Sequence, residues 1–304
     1  MHIRIATRNS ELALWQAREV SRQLCKTHPD MSTELVRLTT TGDRLLQQSL
    51  AAQGGKGLFV KELEHALLEN RADIAVHSIK DVPVELPSGL HMPAVLRREN
   101  PCDALVSNHY GTLDALPEHA RVGTSSQRRA CQLKAALPGL EIRLLRGNVG
   151  TRLTRLDQGE YDAIILAVAG LKRLGLSQRI RACLSADVVL PAIGQGAIGI
   201  ECRQDDSHTE SLIRPLNHGD TQACILAERA VSQALEGGCQ LPIAGLAEAN
   251  HERLELRALV GYPDGSRICR SRDVGSKRDP VQLGQSVAQD LLAQGADHIL
   301  AALP

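Results

Sequence analysis

Short apolar runs alternate with helix-period segments through the first half of this 304-residue chain, and that rhythm restricts its fold more than any other feature. Ile3–Thr7 reads as a strand. Ser10 is placed to cap a helix that runs to about Lys26, with Leu12, Trp15, Val20 and Leu24 on one stripe. Glu34–Thr39 follows as a strand. A glycine-marked loop from Gly42 to Gly57 leads to a helix at Leu58–Glu69, and Asp73–Ser78 is another apolar strand. Strands handed over to helices in this order imply an α/β architecture with a mainly parallel sheet and helices on both faces.

A break at Arg97-Arg98-Glu99-Asn100-Pro101 starts a second such unit. Its strands are expected at Ala104–Ser107, Arg121–Gly123, Ile142–Arg146 and Ala163–Ala169, its helices at Ser126–Ala136 and Val149–Leu156. Pro191-Ala192-Ile193-Gly194 reads as a hinge, and Gly196–Cys202 as a strand able to return to the first unit. Two crossings between lobes would make a hinged cleft. After a helix at Thr221–Leu235 the rhythm changes. Strands near Gly245–Ala249, Leu254–Val260 and Arg267–Val274, then a helix at Pro280–Gln294, suggest a small α+β domain. The expected domains are 1–96 with a returning segment 197–215, 102–191, and 219–304.

Composition narrows the function. Trp15, Phe59, Tyr110, Tyr161 and Tyr262 are the only aromatic residues, so the core must be aliphatic and a nucleic-acid surface built on stacking is not expected. Acids and bases balance at 35 each, which gives no global drive toward nucleic acid or anionic membranes. Between Arg121 and Arg181, however, ten arginines and two lysines face only four acids. No apolar run approaches the roughly 18 residues of a membrane span, and the N-terminus carries no signal-like stretch. The eight cysteines show neither C-x-x-C pairs nor zinc spacing; reduced thiols and a cytoplasmic location are expected, with no metal.

Three turns sit where a strand passes to a helix: Ala6-Thr7-Arg8-Asn9-Ser10, Gly123-Thr124-Ser125-Ser126-Gln127-Arg128-Arg129, and Arg146-Gly147-Asn148-Val149-Gly150-Thr151-Arg152. Helix N-termini present free N–H groups, and guanidinium binds carboxylates in a fixed fork. Serine and threonine at such places often serve as plain caps. Three arginine-bearing turns in one chain nonetheless point to a small ligand with several carboxylates or phosphates. Gly54-Gly55-Lys56-Gly57 lacks P-loop spacing and reads as a flexible cationic loop. Asp81 ends a buried strand beside Lys80. It is either a cap or a fixed negative charge for a cationic intermediate. Cys239, following Gly237-Gly238, is the cysteine best placed as a nucleophile or attachment point. His77 is as well explained by the core as by a Cys–His pair.

The stretches His77-Ser78-Ile79-Lys80-Asp81-Val82-Pro83, Gly123 to Arg129, Arg146 to Arg152, Pro191-Ala192-Ile193-Gly194-Gln195-Gly196 and Glu236-Gly237-Gly238-Cys239 resemble the signatures of the porphobilinogen deaminases, in order along the chain. The resemblance implies two periplasmic-binding-protein-like lobes with a hinge and cleft, plus a small α+β C-terminal domain. It implies a dipyrromethane cofactor held by a thioether to Cys239. Four porphobilinogen molecules would be deaminated and joined head to tail to that cofactor, and hydrolysis would release hydroxymethylbilane. Asp81 matches the catalytic position. Lys80, Ser78, Ser126, Arg128, Arg129, Arg146 and Asp43 match cofactor-binding positions. Arg8, Ser10, Gln16, Lys56, Phe59, Arg152, Arg173 and Gln195 match substrate-binding positions. Thr41, Ala52 and Gln127 depart from the family pattern. A monomer acting on a small molecule is implied, with no nucleic acid or membrane partner. A two-lobed binding or sensor domain for an anionic small molecule is the alternative, since one fold hosts both roles; a sensor has no use for a covalently held pyrrole pair at Cys239.

Overall fold

The computed structural model describes residues 1–42, 60–237 and 241–303, so Asp43, Lys56, Phe59, most of the Gly42–Gly57 loop and Cys239 lie outside the described residues. Thirteen strands follow one another among the described residues. They are β1 (His2–Arg8), β2 (Ser32–Leu38), β3 (Ile74–Ser78), β4 (Leu90–Val95), β5 (Asp103–Val106), β6 (Arg121–Gly123), β7 (Glu141–Arg143), β8 (Ala163–Ala167), β9 (Ala182–Cys183), β10 (Ile198–Arg203), β11 (Ile243–Asn250), β12 (Arg253–Gly261) and β13 (Ile268–Ser276). The chain divides into two compact units, 1–99 with 197–222, and 100–196 with 223–304.

The first unit is built on a five-stranded sheet of order β2-β1-β3-β10-β4. Strand β1 runs parallel to β2 and β3, whereas β10 is antiparallel to both β3 and β4. Helix α1 (Glu11–Thr27) begins at Ser10, whose hydroxyl accepts from the Ala13 N–H; Glu11 in its first turn and Lys26 in its last suit the helix dipole. It buries Ala13, Gln16, Ala17, Val20 and Leu24. The buried stripe is therefore turned slightly from the expected one, leaving Leu12 and Trp15 half-exposed at its border. Helix α2 (Lys61–Leu68) covers the opposite face. Alternation along β1 sorts the two layers: Ile3 and Ile5 pack with Val20 and Leu24, while Ala6 packs with Leu63 and Leu67.

The second unit repeats the plan. Its five-stranded sheet has the order β7-β6-β8-β5-β9, with β6 parallel to β7 and β8, and β5 antiparallel to β8 and β9. Helices α3 (Gln127–Ala136) and α4 (Val149–Asp157) cover it on opposite faces: Leu133 packs with Leu105, Val122 and Ile165, and Leu153 and Leu156 with Val106, Ile164 and Leu166. A helix expected to be the end of a strand, α5 (Val168–Arg173), takes over directly from β8, and the sequence reading also missed β4 and α6 (Ser207–Ile213). The mainly parallel expectation is corrected to two parallel and two antiparallel pairings in each sheet. A buried strand is apolar on both faces whichever way it runs, so periodicity carries no direction.

After α7 (Gly219–Ala234), β11, β12 and β13 form an antiparallel sheet covered by α8 (Pro280–Ala293) and α9 (Ala296–Ala301). Its aliphatic core joins Val231, Leu254, Leu256, Leu283, Val287 and Leu291. No helix among the described residues is long and apolar enough to cross a membrane.

One glycine shows how tightly the second sheet is packed. A Cβ on Gly123, the last residue of β6, would stand 2.8 Å from the Tyr161 ring, 2.9 Å from Leu145 and 3.0 Å from Ile164. Overpacking at a buried strand end costs about 1–3 kcal/mol. Gly123→Ala is therefore expected to lower the unfolding free energy by an amount in that range, read as a lower denaturant midpoint with no change in slope; an unchanged midpoint would show that the packing yields.

Candidate functional site

In both sheets the residues singled out by the sequence gather at the carboxyl ends of the parallel strands, where open α/β sheets bind ligands. In the first unit, β1 and β3 end side by side. Arg8, Ser10, Gln16, Ser78 and Asp81 line one hollow there together with His77. Ser78 closes β3, and Ile79–Asp81 forms a single helical turn that carries Lys80 and Asp81. Gln16 is 2% exposed and donates from Nε2 to Ser78 Oγ at 2.7 Å, which ties α1 to the end of β3. A guanidinium, a hydroxyl, an amide and a carboxylate thus face one small space, a set suited to holding a polar ligand by carboxylates and N–H groups. Thr41, one of the departures from the family pattern, turns both its N–H and its hydroxyl to Glu62 Oε1, at 2.7 and 2.6 Å.

Behind the hollow is a buried group of ionisable residues that the sequence did not reveal. His77 Nε2 lies 2.8 Å from Glu201 Oε2, and these side chains are 3% and 0% exposed. His77 is thus a core histidine engaged with β10. Glu64, on α2, is buried too. Burial, then the charge of Glu201, pushes the Glu64 carboxyl up to about 7.

In the second unit a different residue organises the site. Asp103 opens β5 and is wholly buried. Its Oδ2 accepts from Arg128 Nη2 at 2.8 Å, and its Oδ1 accepts from Arg129 Nη2 at 2.6 Å and Arg129 Nε at 3.0 Å. Gln195 Nε2 adds a fourth contact at 3.0 Å and also donates to the Pro101 carbonyl at 2.6 Å. Arg128 Nη1 donates to the Leu190 carbonyl, and Arg129 Nη1 to that of Ile165. The two guanidiniums outweigh the burial cost and hold the Asp103 carboxyl far below the usual carboxylate range, while burial pulls Arg128 down. Arg128 Nε is buried with no hydrogen-bond partner among the described residues.

The hinge stretch 191–195 is held from a second side. Glu228, fully buried on α7, accepts from Gly194 N–H at 2.7 Å and Ala247 N–H at 2.8 Å.

The remaining expected residues fall as follows. Ser10, Ser126 and Asn148 each cap the helix after their turn, so the plain capping role holds for all three. Gly147 has a φ of +111°, open to glycine, which lets the chain turn from the end of β7 into that cap. Arg152 Nε donates to the Gly147 carbonyl at 2.7 Å, and Arg146 is half-buried nearby in sequence. Arg173, at the end of α5, donates to the Gly196 carbonyl at 2.6 Å. The cationic surplus between Arg121 and Arg181 is smaller than the count suggests: Arg121, Arg143, Arg155 and Arg179 pair with Asp162, Glu141, Glu160 and Asp157, and Asp103 holds two more. Sequence reasoning missed Asp103, Glu201 and Glu64. The usable signal was a carboxylate inside an apolar run, Asp103-Ala104-Leu105-Val106 and Ile200-Glu201-Cys202, which burial permits only with a partner.

Two family models match the chain: porphobilinogen deaminase, dipyromethane cofactor binding domain, over residues 3–211, and porphobilinogen deaminase, C-terminal domain, over residues 222–293. Among solved structures, the chain is similar to a putative methionine-binding lipoprotein from Bacillus subtilis, at 13% identity over 71% of this chain and 90% of that one, with a TM-score of 0.44. A periplasmic substrate-binding protein of an ABC transporter from Coxiella burnetii matches at 13% identity over 70% and 91%, with a TM-score of 0.45. The periplasmic aliphatic sulphonate binding protein of Escherichia coli matches at 14% identity over 77% and 70%, with a TM-score of 0.42.

The Glu64 carboxyl gives the first unit a signature in pH. Its folded-state value of about 7 lies above the ordinary 4.5, so folding binds a proton in the window between them and stability falls as pH rises through it. Glu64→Gln removes that slope. Melting temperatures followed from pH 4.5 to 8 should show a shallower decline for the variant and a higher value than the parent at the alkaline end. Two parallel curves would mean that Glu64 ionises normally in the fold.

Proposed function

Because the chain belongs to the porphobilinogen deaminase family, we propose that it joins four porphobilinogen molecules head to tail on a dipyrromethane attached through Cys239, and releases hydroxymethylbilane by hydrolysis. It would act in the cytoplasm as a monomer. Each addition expels ammonia from one porphobilinogen, forms one carbon–carbon bond and loses one proton from the ring that is attacked. The hollow that places Asp81 beside Arg8, Ser10, Gln16 and Ser78 carries this reading.

Departure of ammonia leaves a cation delocalised over the pyrrole. A carboxylate fixed at the end of β3 stabilises that charge and accepts a hydrogen bond from the pyrrole N–H, and it can carry the proton that the coupling releases. Arg8 and Ser10 bind the acetate and propionate groups that every pyrrole bears, so the ring is oriented before the carbon–nitrogen bond breaks. Gln16 keeps the Ser78 hydroxyl aimed by the bond between them.

The dipyrromethane cofactor suits the second unit. The family model over residues 3–211 is named for binding it. The buried Arg128 Nε, with no protein partner among the described residues, is a donor that a ligand carboxylate would satisfy. Arg128, Arg129, Ser126 and Arg146 would hold its carboxylates, with Arg152, Arg173 and Gln195 taking those of added units. When bound, the cofactor supplies the ring carbon on which the chain grows. Lys80, Asp43, Lys56 and Phe59 complete the proposed set.

Two expected outcomes test this reading. Asp81→Asn should keep the fold and lose roughly 10²–10³-fold in kcat, the scale of one lost charge-stabilising contact, with a smaller change in KM. A kcat near the parental value removes Asp81 from the chemistry. Cys239→Ala should give a protein with the mass of the bare chain, no colour with an aldehyde reagent and no turnover, whereas a variant that keeps the two-pyrrole adduct moves the attachment point elsewhere.

A further inference from the structure

Asp103 matches none of the residues through which the chain resembles its family, yet three of them converge on it: Arg128, Arg129 and Gln195. We propose that Asp103 is a positioning residue, which fixes the two guanidiniums in the one arrangement that accepts a ligand carboxylate. The inference rests on the reading that this pair holds the carboxylates of the cofactor.

The charge balance makes the case. Arg128 and Arg129 are 4% and 6% exposed, and among the described residues Asp103 is the one carboxylate that the two share. Two buried guanidiniums against one carboxylate leave a buried surplus of one positive charge, which is costly until an anion answers it. The Asp103 oxygens take Nη2 of Arg128 and both Nε and Nη2 of Arg129, and main-chain carbonyls of Leu190 and Ile165 take the two Nη1 groups. Arg128 Nε is itself buried and has no hydrogen-bond partner among the described residues. Each side chain is held at two points, so little rotamer freedom remains to be lost on binding. Gln195, which bonds both Asp103 and Pro101, ties the same carboxylate to the hinge stretch.

A discriminating consequence follows. Asp103→Asn adds one net positive charge beside the ligand. If Asp103 acted only by subtracting charge, the variant would bind carboxylates more tightly. If it positions the guanidiniums, binding weakens, because freed side chains no longer present a fixed fork.

The experiment compares the holoenzyme with Asp103→Asn, Asp103→Glu, Arg128→Gln and Arg129→Gln, each expressed as the full chain. Intact mass gives the fraction of molecules that carry the two-pyrrole adduct, thermal unfolding reports the fold, and kinetics on the adduct-bearing fraction separate KM from kcat. Asp103→Asn should lower the loaded fraction or raise KM for porphobilinogen roughly tenfold, the scale of lost charge-assisted hydrogen bonds, with kcat within about threefold of the parent. Asp103→Glu should recover part of the loss. Unchanged or tighter binding in Asp103→Asn overturns the proposal while the arginine variants are still impaired. If both arginine variants load and bind as the parent does, the reading of the pair as a carboxylate site is itself wrong. If neither Asp103 variant folds, Asp103 is a structural residue only and the proposal falls.

Discussion

A carboxylate buried between two guanidiniums is the constraint around which the second unit is arranged. Asp103 stays ionised because Arg128 and Arg129 stand against it, and they stay buried because it is there. Removing one member of such a group leaves an uncompensated charge in a low-dielectric interior, which is why the three residues form a single device. The strands and helices around it are simple to account for: β5 delivers the acid, the capped start of α3 delivers the two arginines on consecutive positions, and the hinge stretch delivers Gln195.

The first unit uses the same sheet plan with a different polar interior. Gln16 and Ser78 lock the end of β3 to α1, and His77 and Glu201 lock it to β10. Asp81 stands one helical turn beyond those locks. Its position is therefore set by a strand anchored on both sides, and functional groups on rigid elements are held more closely than groups on loops. The buried Glu64 shows the cost of such an interior: burial and the charge of Glu201 hold its carboxyl above the ordinary value, which adds a pH-dependent term to folding.

Much of this was legible in the chain. The alternation of strand and helix signals gives both α/β units and the late antiparallel sheet, because side-chain periodicities of two and 3.6 residues are written directly in apolar spacing. The three arginine-bearing turns and the Asp81 stretch are local motifs, and each lies between a strand and a helix as read, while the stretch at Pro191 lies in the connection between β9 and β10. Strand direction was not legible, since β5 and β10 are buried on both faces whichever way they run. Helix α5 was hidden for a related reason: Val168 and Ala169 extend an apolar run that a strand and a buried helix share.

The sequence by itself determined on which element ends the candidate site residues stand, because capping, glycine conformation and hydrophobic period act over a few residues. The tertiary structure alone decided which charges pair with which acids. Ten arginines between Arg121 and Arg181 look alike in the chain, but four are matched by acids of the same segment and two by Asp103, about 25 residues earlier. That choice depends on register and packing between β5, β8 and α3, and long-range ion pairing leaves no periodic trace in one sequence.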